Sequence, residues 1–167
     1  ELLSSSYTPK VIKDKGLPKL HEYIKIIDTD LSEIQDTFSD QIKDAYFIHS
    51  AGFVNLSTDE AHREKIFDEN TKITKSLFSI FHPFIKKFIY ISTAFSSGER
   101  KGLIDNDFHN LEFELEHRNA YENAKFHSEE FVIQQCAELN LPYQILRPSV
   151  IGGKMLGNEN RYFIPKY

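Results

Sequence analysis

Residues 87–93 read KFIYIST, a continuous apolar run that begins at a lysine and ends in two hydroxyl side chains. A short apolar run with no polar alternation is typical of a strand buried on both faces of a parallel sheet. Similar runs occur at 23–27, 45–49 and 142–146. Helical spacing of apolar residues predicts helices between them, over 32–43, 58–80 and 119–139. The alternation predicts an α/β fold with a doubly wound parallel sheet and helices on both faces.

Composition narrows the classes of function that this chain can have. It has 167 residues with 20 Lys+Arg against 25 Asp+Glu, a formal charge of −5. That balance disfavours a general nucleic-acid surface, so no nucleic-acid partner is expected. Cys136 is the only cysteine, which excludes an intrachain disulfide and a Cys-based zinc site. No apolar run approaches the roughly 20 residues that span a bilayer. We expect a cytoplasmic protein with no membrane span.

Ligands of open parallel sheets bind beyond the carboxyl ends of the strands. The sequence places small and polar residues after each predicted strand, at 28–32, 49–54, 92–98 and 148–153. These four loops are where we expect the chemistry. His49 ends one strand, and we interpret it as a histidine near the core rather than a catalytic group. The histidines and the acidic residues at 112–116 lack the spacing of metal ligands, so no metal site is predicted.

Tyr121 and Lys125 are separated by four positions on a predicted helix, which places both side chains on one face. A nearby ammonium lowers the pKa of a phenol and makes it a better proton donor. The spacing alone is weak evidence, because Tyr162 and Lys166 repeat it and surface pairs of this kind are common. Thr93, directly after the strand at 87–91, adds a hydroxyl at the same rim. Together the three side chains form a proton-donating group.

These residues resemble the extended short-chain dehydrogenase/reductase superfamily, a group with a Rossmann-type fold. Within it they are most similar to fatty acyl-CoA reductases and carrier-protein thioester reductases, because an aromatic residue follows Ser-Thr-Ala at 92–95. The matching segments lie in the superfamily's order over residues 23–153. They are 30–31, 49–52, Asn70 with Thr74, 91–95, 121–125 with Glu129, and 146–150.

The resemblance implies a role for each matched residue. Thr93 would bind the substrate carbonyl, Tyr121 would be the acid/base, and Lys125 would lower the Tyr pKa and bind the nicotinamide ribose. Asn70 would support the rim of the sheet near the active site. The implied cofactor is NADP, with NAD as the alternative. Its binding residues would be, from adenine to nicotinamide, Asp30, Leu31, Ala51, Gly52, Pro148, Ser149 and Val150.

One element of the superfamily has no counterpart before Tyr23. Members begin with a strand and a turn of the form G-x-x-G-x-x-G, which places the pyrophosphate at a helix N-terminus. Residues 152–157 contain three glycines at a different spacing. We therefore expect residues 1–22 to be irregular and residues 23–167 to form a partial Rossmann domain. A fragment, the ordered part of a longer protein, and a degenerate member all remain as explanations.

The resemblance implies an NAD(P)H-dependent oxidoreductase that reduces an acyl thioester or a related carbonyl. The substrate would be a small molecule or an acyl group on a carrier. Two alternatives stay open: a nucleotide-sugar epimerase or dehydratase of the same superfamily, and a non-catalytic member that binds cofactor or acts as a scaffold. The superfamily also implies a homodimer through the helices at 58–80 and 119–139.

Overall fold

The computed structural model describes residues 42–104, residue 109 and residues 115–149. They form alternating strands and helices, as the sequence predicts. In chain order the elements are β1 (Ala45–His49), α1 (Glu60–Phe81), β2 (Ile85–Ile91), a short 3-10 helix (Ala94–Ser97), α2 (Ala120–Glu138) and β3 (Tyr143–Leu146). The three strands and the two long helices each lie within two residues of their predicted positions, whereas the 3-10 helix was not predicted. The strand at 23–27, most of the helix at 32–43 and the segment 1–22 lie outside the described residues.

The three strands form one parallel sheet in the order β1-β2-β3. Phe47 is in register with Phe88, and Ile89 is in register with Gln144. Because all three strands run in the same direction, their carboxyl ends meet at one edge. This arrangement confirms the prediction of a Rossmann-type parallel sheet, and it brings the loops at 49–54, 92–98 and 147–149 to the same edge.

The described core lies between one face of the sheet and the two long helices. Phe47 stacks on Phe81 of α1 at 4.4 Å between ring centroids, and Phe88 packs against Phe78 at 5.1 Å. Phe88 is completely buried. On the opposite face of β1, Tyr46 and other apolar side chains are exposed. Within the described residues helices therefore cover one face, and the predicted second layer lies outside them.

Local capping fixes where both helices begin. Asp59 precedes α1 in an extended conformation, and its carboxylate accepts a hydrogen bond from the Ala61 amide. Asn119 does the same for α2, accepting from the Glu122 amide at 2.9 Å. Such caps satisfy amide groups that the helix itself leaves unpaired. The cap at Asn119 places Tyr121 in the first turn of α2 and Lys125 in the second.

Candidate active site

Backbone hydrogen bonds tie the end of β2 to the end of β3. The Ser92 amide donates to the Leu146 carbonyl at 2.8 Å, and the Ala94 amide donates to the Pro148 carbonyl at 3.0 Å. Thr93 therefore lies beside the segment that contains Pro148 and Ser149. The structure thus brings the backbone of Thr93 next to the segment of two of the expected nicotinamide-flanking residues. Asp30, Leu31 and Val150 lie outside the described residues, so their roles stay predictions.

Lys125 reaches from α2 to the carboxyl end of β2. Its side chain is only 3% exposed, and Nζ donates to the Ile91 carbonyl at 2.7 Å. Nζ also lies 4.4 Å from the centre of the Tyr90 ring, a cation–π distance. Burial lowers the pKa of this ammonium to about 8, and the Glu129 carboxylate opposes that effect. The amine is thus anchored two residues before Thr93.

Tyr121 is half-buried one helical turn before Lys125. Its pKa is raised above the usual value, because burial disfavours the phenolate and the Glu122 carboxylate repels it. This direction corrects the expectation that Lys125 lowers the pKa of Tyr121. The physical reason is that the Lys125 ammonium is held at the Ile91 carbonyl, while burial and Glu122 dominate around the phenol. The Tyr121 phenol is therefore protonated at neutral pH.

Thr93 caps the short 3-10 helix, with its hydroxyl oxygen accepting from the Phe95 amide at 3.3 Å. Capping is the ordinary structural role for a hydroxyl at a strand end. It uses a lone pair of the oxygen, so the hydroxyl proton does not take part in this bond. The same side chain can therefore cap the helix and donate to a carbonyl oxygen.

Gly52, with Ala51 before it, follows β1 at a point where the backbone passes close to other polar groups. A methyl group on Gly52 would lie 3.1 Å from Asn70 Oδ1 and 3.9 Å from Lys125 Nζ. Asn70 cannot yield easily, since Oδ1 accepts from the Phe53 amide while Nδ2 donates to the carbonyls of Phe53 and Ile66. Asn70 thus holds the loop after β1, in agreement with the support role that the resemblance implies.

His49 is a buried neutral histidine. Its Nε2 lies 2.9 Å from Thr74 Oγ1, which donates its own proton to the Asn70 carbonyl at 3.0 Å. Nε2 must therefore carry the hydrogen, which leaves Nδ1 as a buried acceptor with no hydrogen-bond partner among the described residues. Burial, together with the Lys125 charge, lowers the pKa of His49 to about 3. This is the core histidine that the sequence predicts rather than an acid/base catalyst.

A buried charge network lies one turn beyond Lys125, and sequence reasoning identified only part of it. Glu129 is completely buried and accepts from Arg147 Nε at 2.9 Å and Nη2 at 2.7 Å. His109 Nε2 and Ser96 Oγ lie at 2.7 Å from the two carboxylate oxygens. Sequence analysis identified Glu129 because it follows Lys125 by four positions. His109 and Ser96 carry no pattern that places them there.

The other predicted features concern reactivity and metals. Cys136 is buried, and burial raises the pKa of its thiol to about 11, so it is not a thiolate nucleophile. Among residues 42–104, 109 and 115–149, no group of three His, Cys, Asp or Glu side chains could hold a metal ion. The same residues contain no helix long and apolar enough to cross a membrane.

Structures of known proteins share this fold. A UDP-Glc/GlcNAc 4-epimerase from Campylobacter jejuni is 22% identical, with a TM-score of 0.66 over 88% of this chain and 44% of that one. A UDP-glucuronic acid 4-epimerase from Bacillus cereus, solved with UDP-glucuronic acid and NAD, is 20% identical with a TM-score of 0.62, over 81% and 42%. At this level of identity the likeness shows the fold alone.

A third similar structure is DesIV, a dTDP-glucose 4,6-dehydratase from Streptomyces venezuelae solved with NAD and DAU. It is 14% identical with a TM-score of 0.62, over 80% of this chain and 41% of that one. The chain thus spans less than half the length of each of these three proteins. No curated protein sequence matches it.

A family model described as "Male sterility protein", a type of NAD-binding domain, matches residues 5–162. The match covers most of the chain, including every residue that the site contains. The chain therefore belongs to the male sterility protein family of NAD-binding domains, within the extended short-chain dehydrogenase/reductase superfamily.

Proposed function

We propose that the protein is an NAD(P)H-dependent reductase of an acyl thioester or a related carbonyl, in which Tyr121 is the proton donor. The observation that carries this proposal is the anchoring of Lys125. A buried ammonium, held at the Ile91 carbonyl, fixes α2 against the strand end that carries Thr93. Tyr121, one turn earlier on the same helix, would then face the same rim. Burying an ammonium group costs free energy, and a functional role at this rim would account for that cost.

The residues at the rim fit a dinucleotide. The missing side chain of Gly52 leaves the backbone open beside Lys125 Nζ, and added bulk would meet Asn70. Gly52 and Ala51 would lie under the cofactor, Lys125 would bind the nicotinamide ribose, and Pro148 and Ser149 would flank the nicotinamide. Asp30, Leu31 and Val150 complete the proposed set. When bound, the cofactor supplies a hydride to the carbonyl carbon.

The protein's own residues would supply the proton. The raised pKa keeps the Tyr121 phenol protonated at neutral pH, so it can donate to the carbonyl oxygen as the hydride reaches the carbon. Thr93 would donate a hydrogen bond to the same oxygen and orient the carbonyl. One hydride and one proton added to a thioester carbonyl give an aldehyde once the thiol leaves. The phenolate that remains would take a proton back from solvent before the next turnover.

We propose NADP(H) as the cofactor, on the basis of the resemblance of residues 92–95 to acyl reductases. NAD is the second candidate, because two of the similar structures described above were solved with NAD. The same structures favour a second candidate function, an epimerase or dehydratase acting on a nucleotide sugar. A non-catalytic cofactor-binding or scaffold member is the third. We further propose a cytoplasmic homodimer that associates through α1 and α2.

The experiment uses the full-length protein. Oxidation of NADPH is measured with a medium-chain acyl-CoA, an acyl carrier protein thioester and a UDP-sugar, and the aldehyde is identified by mass spectrometry. We expect acyl-dependent oxidation with one aldehyde formed per NADPH. Conversion of the UDP-sugar with no net consumption of NADPH would support the epimerase instead. Failure to bind either NADPH or NADH in calorimetry would support the scaffold.

A further inference from the structure

The carboxylate of Glu129 joins three segments of the candidate active site. It belongs to α2, one turn after Lys125. Through Oε2 it accepts two hydrogen bonds from Arg147, the residue directly before Pro148. Through Oε1 it lies 2.7 Å from Ser96 Oγ. The Glu129 side chain therefore connects three elements. They are α2, which carries Tyr121 and Lys125, the loop that contains Thr93, and the end of β3.

Ser96 connects this carboxylate to Thr93. Its hydroxyl lies 2.7 Å from Glu129 Oε1 and 2.8 Å from the Thr93 carbonyl oxygen, so a single proton is shared between two acceptors. The Ser96 carbonyl also accepts from His117 Nε2 at 3.0 Å. A shift of the Glu129 carboxylate would therefore move the 3-10 turn that Thr93 caps.

Glu129 is also a buried negative charge close to a buried positive one. Burial disfavours its ionised form, but hydrogen bonds from His109, Arg147 and Ser96 hold the pKa of the carboxyl below its usual value. It is therefore a carboxylate at neutral pH. Among the described residues, Arg147, His109 and Lys125 are the cationic or titratable groups that interact with it.

Lys125 is surrounded by groups that do not replace this charge. His49 faces it from β1 as a neutral ring, and Tyr90 faces it from β2 with a pKa that burial raises. Tyr121 precedes it on α2 as a neutral phenol. Among the described residues, no carboxylate lies within ion-pair distance of Lys125, and Glu129 is the carboxylate that raises its pKa.

We propose that Glu129 is the positioning residue of this site: its buried carboxylate fixes the Thr93 loop through Ser96 and, one helical turn from Lys125, is the counter-charge of that buried ammonium. The proposal rests on the proposed reductase function, since it assigns Lys125 a working charge. It predicts that the charge of Glu129, and not only its shape, sets the titration of Lys125.

The first test does not require turnover. The 13Cε resonance of Lys125, assigned by its absence in Lys125→Met, is titrated by NMR in the wild type and in Glu129→Gln. The substitution keeps the shape and removes the negative charge that Arg147 pairs with. We expect the pKa of Lys125 to fall by about one pH unit. An unchanged titration in folded Glu129→Gln would overturn the proposal.

The second test uses the reaction. In Glu129→Gln the alkaline limb of the kcat profile should move by about one unit to lower pH, because Lys125 loses its proton earlier. Arg147→Met removes the cation instead and should move the limb to higher pH, while Glu129→Asp, which keeps the charge, should restore the wild-type limb. Glu130→Gln removes a half-exposed carboxylate on the next residue and is the matched control.

The outcomes separate this proposal from the proposed function. A uniform loss of kcat in Glu129→Gln at every pH, together with an unshifted Lys125 resonance, would indicate a structural role and overturn the proposal. Absence of reductase activity in the wild type would overturn the proposed function. In that case the NMR titration still decides whether Glu129 sets the charge of Lys125. Circular dichroism of each variant confirms that the comparison is between folded proteins.

Discussion

Helices α1 and α2 pack against each other and against the same face of the sheet, yet they bury different chemistry. The polar groups that α1 buries are neutral: Asn70, Thr71 and Thr74. They bond to backbone carbonyls of their own helix, and Asn70 also holds the loop after β1. The polar groups that α2 buries include Glu122, Lys125 and Glu129, all of them ionisable.

Burying a charge is unfavourable unless a partner or a function compensates for it. Glu122 is paired with Arg118, and Glu129 is paired with Arg147. Lys125 has only a backbone carbonyl and an aromatic ring as described partners. The contrast indicates that α1 supports the site, whereas α2 carries the reacting groups. The predictions below test that division.

The largest expected effect follows from removing the buried amine. Lys125→Met should lower kcat/KM about 100-fold, because the nicotinamide ribose loses the ammonium proposed to bind it and α2 loses its hydrogen bond to the end of β2. Lys75→Met, on the exposed part of α1, is the matched control and should stay within about twofold. Steady-state kinetics on both variants measures the difference. Equal losses in the two would remove the distinction between the helices.

A supporting residue on α1 should affect stability instead. Asn70→Ala removes three hydrogen bonds and leaves the Phe53 amide and carbonyl without their partner. We expect a loss of about 2 kcal/mol in the free energy of unfolding, measured by urea denaturation. Ser79→Ala, at an exposed position of the same helix, should change it little. A stable Asn70→Ala variant would show that the loop after β1 does not depend on α1.

Alanine substitutions at two glycines distinguish the effect of steric crowding from the effect of backbone strain. Gly52→Ala places a methyl group 3.1 Å from Asn70 Oδ1 and should weaken dinucleotide binding about tenfold in calorimetry. Gly102→Ala meets nothing within 4 Å, but its φ of +90° is strained for alanine. It should lower the melting temperature and leave the dinucleotide Kd unchanged. A reversed pattern would contradict the placement of Gly52 under the cofactor.

The smallest effect concerns acid stability. The pKa of His49 is about 3 in the folded protein, below its unfolded value near 6.5. Between those values the unfolded chain binds a proton that the folded protein excludes, so stability falls as the pH falls. The melting temperature should therefore drop from pH 7 to pH 5, and the drop should be smaller in His49→Gln. The exposed His62→Gln variant should leave the drop unchanged.

The sequence predicted the described fold well. Its apolar residues recur at clear strand or helix spacing, and polar segments separate one element from the next. The apolar run that ends at Ile91 is interpreted only as a buried strand. The spacing of apolar residues before Phe81 is interpreted only as a helix. The cap at Asn119 fixes the register of α2, which in turn places Tyr121 and Lys125. The order of the strands then follows from the resemblance and not from the residues alone.

What the sequence could not predict depends on distances between elements. The pKa of Tyr121 follows its burial and the Glu122 charge, whereas the spacing to Lys125 indicated the opposite direction. The contact of His109 with Glu129 spans 20 positions of the chain and has no local pattern. Electrostatic effects of this kind are set by packing, and a single sequence records packing only indirectly.

The central claim is that Tyr121 on α2 gives the proton to the substrate. It is tested by single-turnover kinetics of Tyr121→Phe, with Tyr143→Phe on β3 as the matched loss of a phenolic hydroxyl. We predict that Tyr121→Phe slows the reduction of the acyl substrate by about 10²- to 10⁴-fold, with dinucleotide binding and melting temperature unchanged. Full activity in Tyr121→Phe, or an equal loss in Tyr143→Phe, would contradict the account.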